Sequence, residues 1–246
     1  MSTDRTVRAI VLRRVDSGES DRRLTLFTVE YGKLDAVAKG ARKGGSRLAG
    51  VSEPLSVSDM TLAEGKRNRF VTQVLPVASF PGLRGDFDRL TYGLAYTELA
   101  AAVLPWESPL PDTFELLVGV LHALEQSAAP LPVLCWAIVR LLDESGFLPQ
   151  FDSCVETGQP IREAQGYLSP TAGGYVVEGE AGRFVDRFRV PAEVLVTLAR
   201  LVELESPPHR LKRAEECLFA LFPICRAVAD ASLPALTSVR DGLRAP

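Results

Sequence analysis

Over the first 80 residues, apolar and polar positions alternate in short runs separated by turn-forming residues. Runs at 7–15, 23–28, 34–39, 55–62 and 70–75 predict five strands, and the Gly- and Ser-bearing gaps at 17–20, 30–33, 44–46 and 64–66 predict the turns between them. In the fourth run Leu55 and Val57 hold odd positions while Met60 and Leu62 hold even ones, which predicts a bulge or sharp bend near Asp59. Five bent strands followed by helices suit an OB-fold, and an SH3-like barrel fits the pattern equally well.

After Pro81 the period changes from two to about 3.6. Tyr92, Ala95, Tyr96, Leu99, Ala102 and Val103 make one apolar helical stripe, and Phe114, Leu117, Val118, Leu121 and Leu124 make a second. A more apolar helix at 133–144, stopped by Gly146 and Pro149, has the composition of a central element. Residues 151–186 interrupt the helical pattern with glycines and two short strand-like pieces, around Tyr167 and at 175–177, which predicts a small β insertion. Helical spacing returns at Val194, Leu195, Leu198, Leu201 and Val202, and again from Leu211 to Cys225. The predicted fold class is therefore α+β and multidomain: a barrel over 1–80 and a helical domain over 81–246 that carries the insertion.

Composition narrows the function classes. The longest apolar run, 131–139, contains Pro132 and is roughly half of the ~20 residues a membrane span needs, and the charged start does not read as a secretory signal. These features predict a soluble cytoplasmic protein. Catalytic chemistry has little to work with: His122 and His209 stand apart from any metal-ligand pattern, and residues 40–46 lack the Gly-Lys-Ser/Thr ending of a phosphate-binding loop. A non-enzymatic protein without a cofactor is expected.

Charge redirects the reading. The net charge is −3, yet residues 1–75 hold fourteen Lys or Arg against nine Asp or Glu, a balance of +5 that leaves −8 for the rest. Within the basic module Arg13, Arg14, Arg22, Arg23, Lys39, Arg42, Lys43, Arg47, Lys66, Arg67 and Arg69 fall mainly at strand ends and in loops, where long cations can converge on a polyanion. Aromatic residues are scarce there, Phe27, Tyr31 and Phe70 being the main ones, so contacts to nucleic acid should rest on phosphates, with strong salt dependence and weak sequence preference.

Residues 7–14, Gly18-Glu-Ser-Asp21, Leu24-Thr-Leu-Phe-Thr28, Gly32-Lys33 and Val37-Ala-Lys-Gly-Ala-Arg42 resemble, in order and spacing, the amino-terminal OB domain of the RecO recombination mediators. Residues 140–154 resemble that family's central helix running to its first cysteine. The resemblance implies an OB barrel that binds single- and double-stranded DNA and anneals complementary strands in the nucleoid. It also implies contact with the acidic tail of single-stranded-DNA-binding protein, and cooperation with RecR in loading RecA. The family's basic motif falls on Lys39, Arg42, Lys43 and Arg47, and Arg140 on the central helix is the residue expected to meet the acidic tail. Many relatives carry two C-x-x-C pairs in the insertion; here Cys154 is followed by Val155, Glu156 and Thr157, which implies a degenerate zinc ribbon that has lost its metal.

Two rival classes remain at this level. A protein-interaction adaptor would use the basic face for solubility alone, and a nuclease would need a carboxylate or histidine cluster that the sequence does not offer.

Overall fold

A computed structural model describes residues 4–243 and divides into two compact units, the first ending at Gln126 and the second beginning at Ser127. In the first unit, β1 (Asp4–Ser17), β2 (Asp21–Thr28), β3 (Gly32–Ala38), the single-turn helix α1 (Leu48–Val51), β4 (Val57–Glu64) and β5 (Arg69–Ala78) form a closed barrel in the order β1-β2-β3-β5-β4. Neighbours are antiparallel except β3 and β5, which pair in parallel at Ala36 with Arg69 and Val37 with Phe70. This is the OB arrangement.

The barrel interior follows the two-residue period: Val7, Ala9 and Val11 from β1 meet Leu24 and Leu26, Leu34 and Ala36, Met60 and Leu62, and Val71. Each large side chain buried there contributes about 1.5–3 kcal/mol, and the alanines leave the narrow interior unstrained. Ile10 and Leu12, of opposite parity, are buried as well, because α3 (Phe87–Val103) packs on β1. The expected bulge near Asp59 is absent from β4, which pairs regularly with β1 from Val57 to Ala63. Leu55 and Val57 change parity because they are buried on the other side of the strand, Leu55 against Gly93 of α3, while the extra residues sit on β5.

α2 (Pro81–Arg84) leads into α3 and then α4 (Pro111–Gln126). Phe114 of α4 stacks on Phe27 of β2 with ring centres 6.3 Å apart, so that aromatic belongs to the core. Asp86 caps α3 by accepting from the Arg89 N–H at 2.9 Å, and the Arg89 guanidinium donates to the Leu124 carbonyl at 2.6 Å, satisfying one of the open carbonyls of α4. Lys33 is buried; its ammonium donates to the Ala101 carbonyl at 2.8 Å and lies 4.6 Å from the Trp106 ring centre.

In the second unit α5 (Pro130–Glu144) is buried along most of its length, as its composition predicts, and Trp136 donates its indole N–H to Leu204 at 2.9 Å. The helix stops at Gly146, whose φ of +74° favours glycine, and the Phe147 N–H closes back on Leu142. The insertion forms β6 (Gln165–Ser169), β7 (Gly174–Val176) and the short α6 (Glu178–Ala181). A third strand, β8 (Phe188–Pro191), lies just beyond the expected segment and completes a sheet in the order β7-β6-β8. α7 (Ala192–Val202), α8 (Ala214–Ala229) and α9 (Pro234–Gly242) follow. Cys135, Cys217 and Cys225 are buried free thiols, and burial pushes the last two up to about 12, leaving them small hydrophobes rather than nucleophiles. Among the described residues no helix is long and apolar enough to cross a membrane.

Candidate nucleic-acid interface

The pairing of β2 with β3 and of β3 with β5 sets Arg23 beside Val37 and Val37 beside Phe70 on the outer face of the barrel. From β3 the chain runs on to Lys39, whose ammonium lies 4.2 Å from the Phe70 ring centre. The β4–β5 loop supplies Lys66 and Arg67, and together Arg23, Asp35, residues 64–68 and Arg69 line a cleft of about 470 Å³. Two carboxylates share this cleft, but Asp35 accepts from Thr25 at 3.1 Å and Glu64 from Arg69 at 3.3 Å. The side chains of Arg23, Lys66 and Arg67 are exposed and make no hydrogen bond or ion pair among the described residues. The result is a concave surface with three open cations, a fourth held over a ring, and one partly covered aromatic face.

Other predicted cations are already engaged. Arg14 reaches Asp16 at 3.1 Å and Glu53 at 2.8 Å; Arg22 reaches Glu53 at 3.0 Å, Ser52 Oγ at 2.7 Å and the Ala49 carbonyl at 2.8 Å; Arg42 reaches Asp16 at 3.3 Å. Arg69 is held between Glu64 and Glu107, and the hydrogen bond to Glu107 raises its pKa further. Arg13, Lys43 and Arg47 are exposed and form no ion pair among the described residues. Asp21 anchors the loop behind β3 by accepting the Gly40 N–H at 2.8 Å, and that bond, with the nearby Lys39 and Lys43 charges, holds its carboxyl below the usual range.

Arg140 lies on α5, with its guanidinium 3.4 Å from Asp143 and 3.5 Å from Glu144 of the same helix. His122 packs edge-on against Phe80 at 4.9 Å between ring centres and is exposed, as is His209.

Comparison with known proteins decides the lineage. A family model described as "Recombination protein O N terminal" matches residues 1–80, and one described as "Recombination protein O C terminal" matches residues 84–219. The chain belongs to the RecO family. A DNA repair protein RecO from Heliobacterium modesticaldum is 37% identical over 201 residues, which cover 80% of this chain and 73% of that protein. One from Roseiflexus is 37% identical over 200 residues, 81% and 69% of the two chains, and one from Desulfitobacterium hafniense is 40% identical over 169 residues, 68% and 61%. RecO membership places the chain in DNA repair and recombination.

The zinc ribbon that the resemblance implies can be tested against the residues present. Cys154 begins a tight knuckle: its N–H donates to Gln159 at 2.8 Å, its carbonyl accepts from Gly158 at 2.8 Å, and its sulfur accepts from the Val177 N–H at 3.5 Å. Burial raises its pKa, but hydrogen bonds from Thr157, Val177 and Glu156 outweigh burial and lower it overall. Thr157 stands where a second thiolate would be needed, and among the described residues no group of three His, Cys, Asp or Glu converges. The donor set does not fit zinc. The insertion is held instead by hydrogen bonds: Gln150 pairs with Gly173 and Tyr175, Val155 with Tyr175, and Asp186 accepts from Ser169 at 2.6 Å.

Proposed function

We propose that the protein is a recombination mediator that binds single- and double-stranded DNA on the β2–β3–β5 face of its barrel and anneals complementary strands without ATP. The observation that carries this reading is the cleft in which the Arg23, Lys66 and Arg67 side chains form no ion pair among the described residues, beside Lys39 and Phe70. Backbone phosphates would take the cations, with Arg13, Lys43 and Arg47 extending the track. Phe70 offers one ring face, too little for stacking to dominate, so bases stay free to pair. Two strands approach against phosphate repulsion, and a cationic surface that neutralises part of that charge lowers the cost without any chemical step.

In this reading the protein works in the cytoplasm at the nucleoid, with RecR as partner in loading RecA and with the acidic tail of single-stranded-DNA-binding protein as a second contact. Arg140 can take that tail only by giving up Asp143 and Glu144. Fluorescence anisotropy with single strands of unrelated sequence, titrated with salt, tests the reading. Affinity should fall steeply with salt and differ little between sequences; salt-insensitive or absent binding would favour the adaptor class.

A further inference from the structure

Three guanidinium groups converge on one carboxylate at the end of the barrel. Asp16, 47% exposed, lies 3.1 Å from Arg14, 3.3 Å from Arg42 and 3.9 Å from Arg22. The β1–β2 register sets Asp16 directly opposite Arg22, and Arg14, two residues earlier, shares its face of the strand. Arg42 is brought in because its backbone N–H donates to Ser20 and its guanidinium to Gly18, both on the turn that follows β1.

The two carboxylates of the cluster are not equivalent. Glu53 and Arg22 form its inner part: Arg22 is only 12% exposed and is also tied to Ala49 and Ser52, so this pair fixes α1 to the barrel. Asp16 is outside. Without it Arg22 keeps Glu53, Arg14 keeps Glu53 at 2.8 Å, and Arg42 keeps the Gly18 carbonyl at 3.2 Å. An exposed pair of this kind adds little to stability. What Asp16 does hold is a set of guanidinium donors that would serve a phosphate oxygen as readily as a carboxylate oxygen.

We propose that Asp16 is a built-in competitor of the DNA backbone, holding Arg42 out of phosphate contact and so limiting how tightly a strand is gripped. This rests on the reading of the barrel as a DNA-binding face. A mediator that pairs strands must also let them go, and a carboxylate that replaces the phosphate as it leaves supplies the return path at no cost of bare charge.

The test is a double-mutant cycle in full-length protein with a fluorescent oligo-dT probe. Asp16→Asn keeps the shape and removes the charge; it should tighten binding about threefold to tenfold at low salt and steepen the salt slope by about 0.7 for each phosphate gained. Arg42→Ala should change wild-type binding less than about twofold but reverse most of the Asp16→Asn gain, because its contact exists only once Asp16 is neutral. A general effect of removing a negative charge would instead make the two changes additive, and additivity overturns the proposal. So does a large loss on Arg42→Ala in the wild type, a result that needs no Asp16 variant to fold. An Arg23→Ala, Lys66→Ala, Arg67→Ala variant in the same assay tests the DNA face separately: loss of binding there with an additive cycle leaves the face standing and removes the competitor. Absence of binding by wild type and Asp16→Asn alike removes both.

Discussion

The Lys39 ammonium lies 4.2 Å from the centre of the Phe70 ring, on the face of the barrel where β3 and β5 pair in parallel. The ring holds the cation in place and leaves part of its own surface for a base. Phe70→Ala is therefore expected to weaken single-strand binding by about 1 kcal/mol while leaving the salt slope unchanged, since no phosphate contact is removed. A changed slope at unchanged affinity, read by salt-titrated anisotropy, would show that the ring acts only by placing Lys39.

Gly32 has a φ of +68°, and a Cβ there would collide with the Ser108 backbone. Gly32→Ala is expected to cost about 2 kcal/mol or more, from the left-handed backbone together with displacement of the segment packed on it. Gly18, at φ +59° with open space around it, isolates the backbone contribution, and Gly18→Ala should cost only about 1 kcal/mol. Urea denaturation of the two variants checks the difference; equal losses would contradict the close approach at Ser108.

Much of the barrel was legible because its strands obey the two-residue period: Val7, Ala9 and Val11 face in as their parity requires. Where a second layer covers the outside, parity misleads. Leu55 and Val57 read as a bend near Asp59, because burial against α3 is tertiary and leaves no local mark. The strand β8 was missed for a related reason: four residues leading straight into α7 give no alternation to detect. The cations were visible as a set, but their sorting was not. Whether Arg22 is open or closed depends on Asp16 across the hairpin and on Glu53, thirty-one positions away in the chain; Arg23, its neighbour, points to the opposite side and stays open.

Burial holds the Lys33 ammonium below its ordinary pKa of 10.5 despite the attraction of Asp35. In the window between the folded pKa and 10.5 the unfolded chain binds more protons than the folded one, so Lys33 makes stability rise with pH there. The stability of wild type relative to Lys33→Met should accordingly shift in favour of wild type as pH climbs toward 10.5. Denaturation of both proteins across that range provides the measurement, and a shift in the opposite direction would mean that the contact with Ala101 outweighs burial.

With Thr157 in place of a second thiolate, no folding energy should be linked to metal. Tag-free protein is expected to contain no stoichiometric zinc, and chelators should leave its melting temperature unchanged. Near-equimolar zinc by elemental analysis would contradict this.

The rate of strand annealing in the absence of ATP tests the central claim most directly. Arg23→Ala, Lys66→Ala and Arg67→Ala combined remove the three open cations of the cleft without touching the barrel core, so circular dichroism should be unchanged. The variant is expected to lose DNA affinity similarly across unrelated sequences, with a salt slope smaller by about 2 to 3, and to lose acceleration of annealing with it. A folded variant that anneals complementary strands as fast as wild type at the same moderate salt would contradict the assignment of the β2–β3–β5 face as the DNA-binding surface.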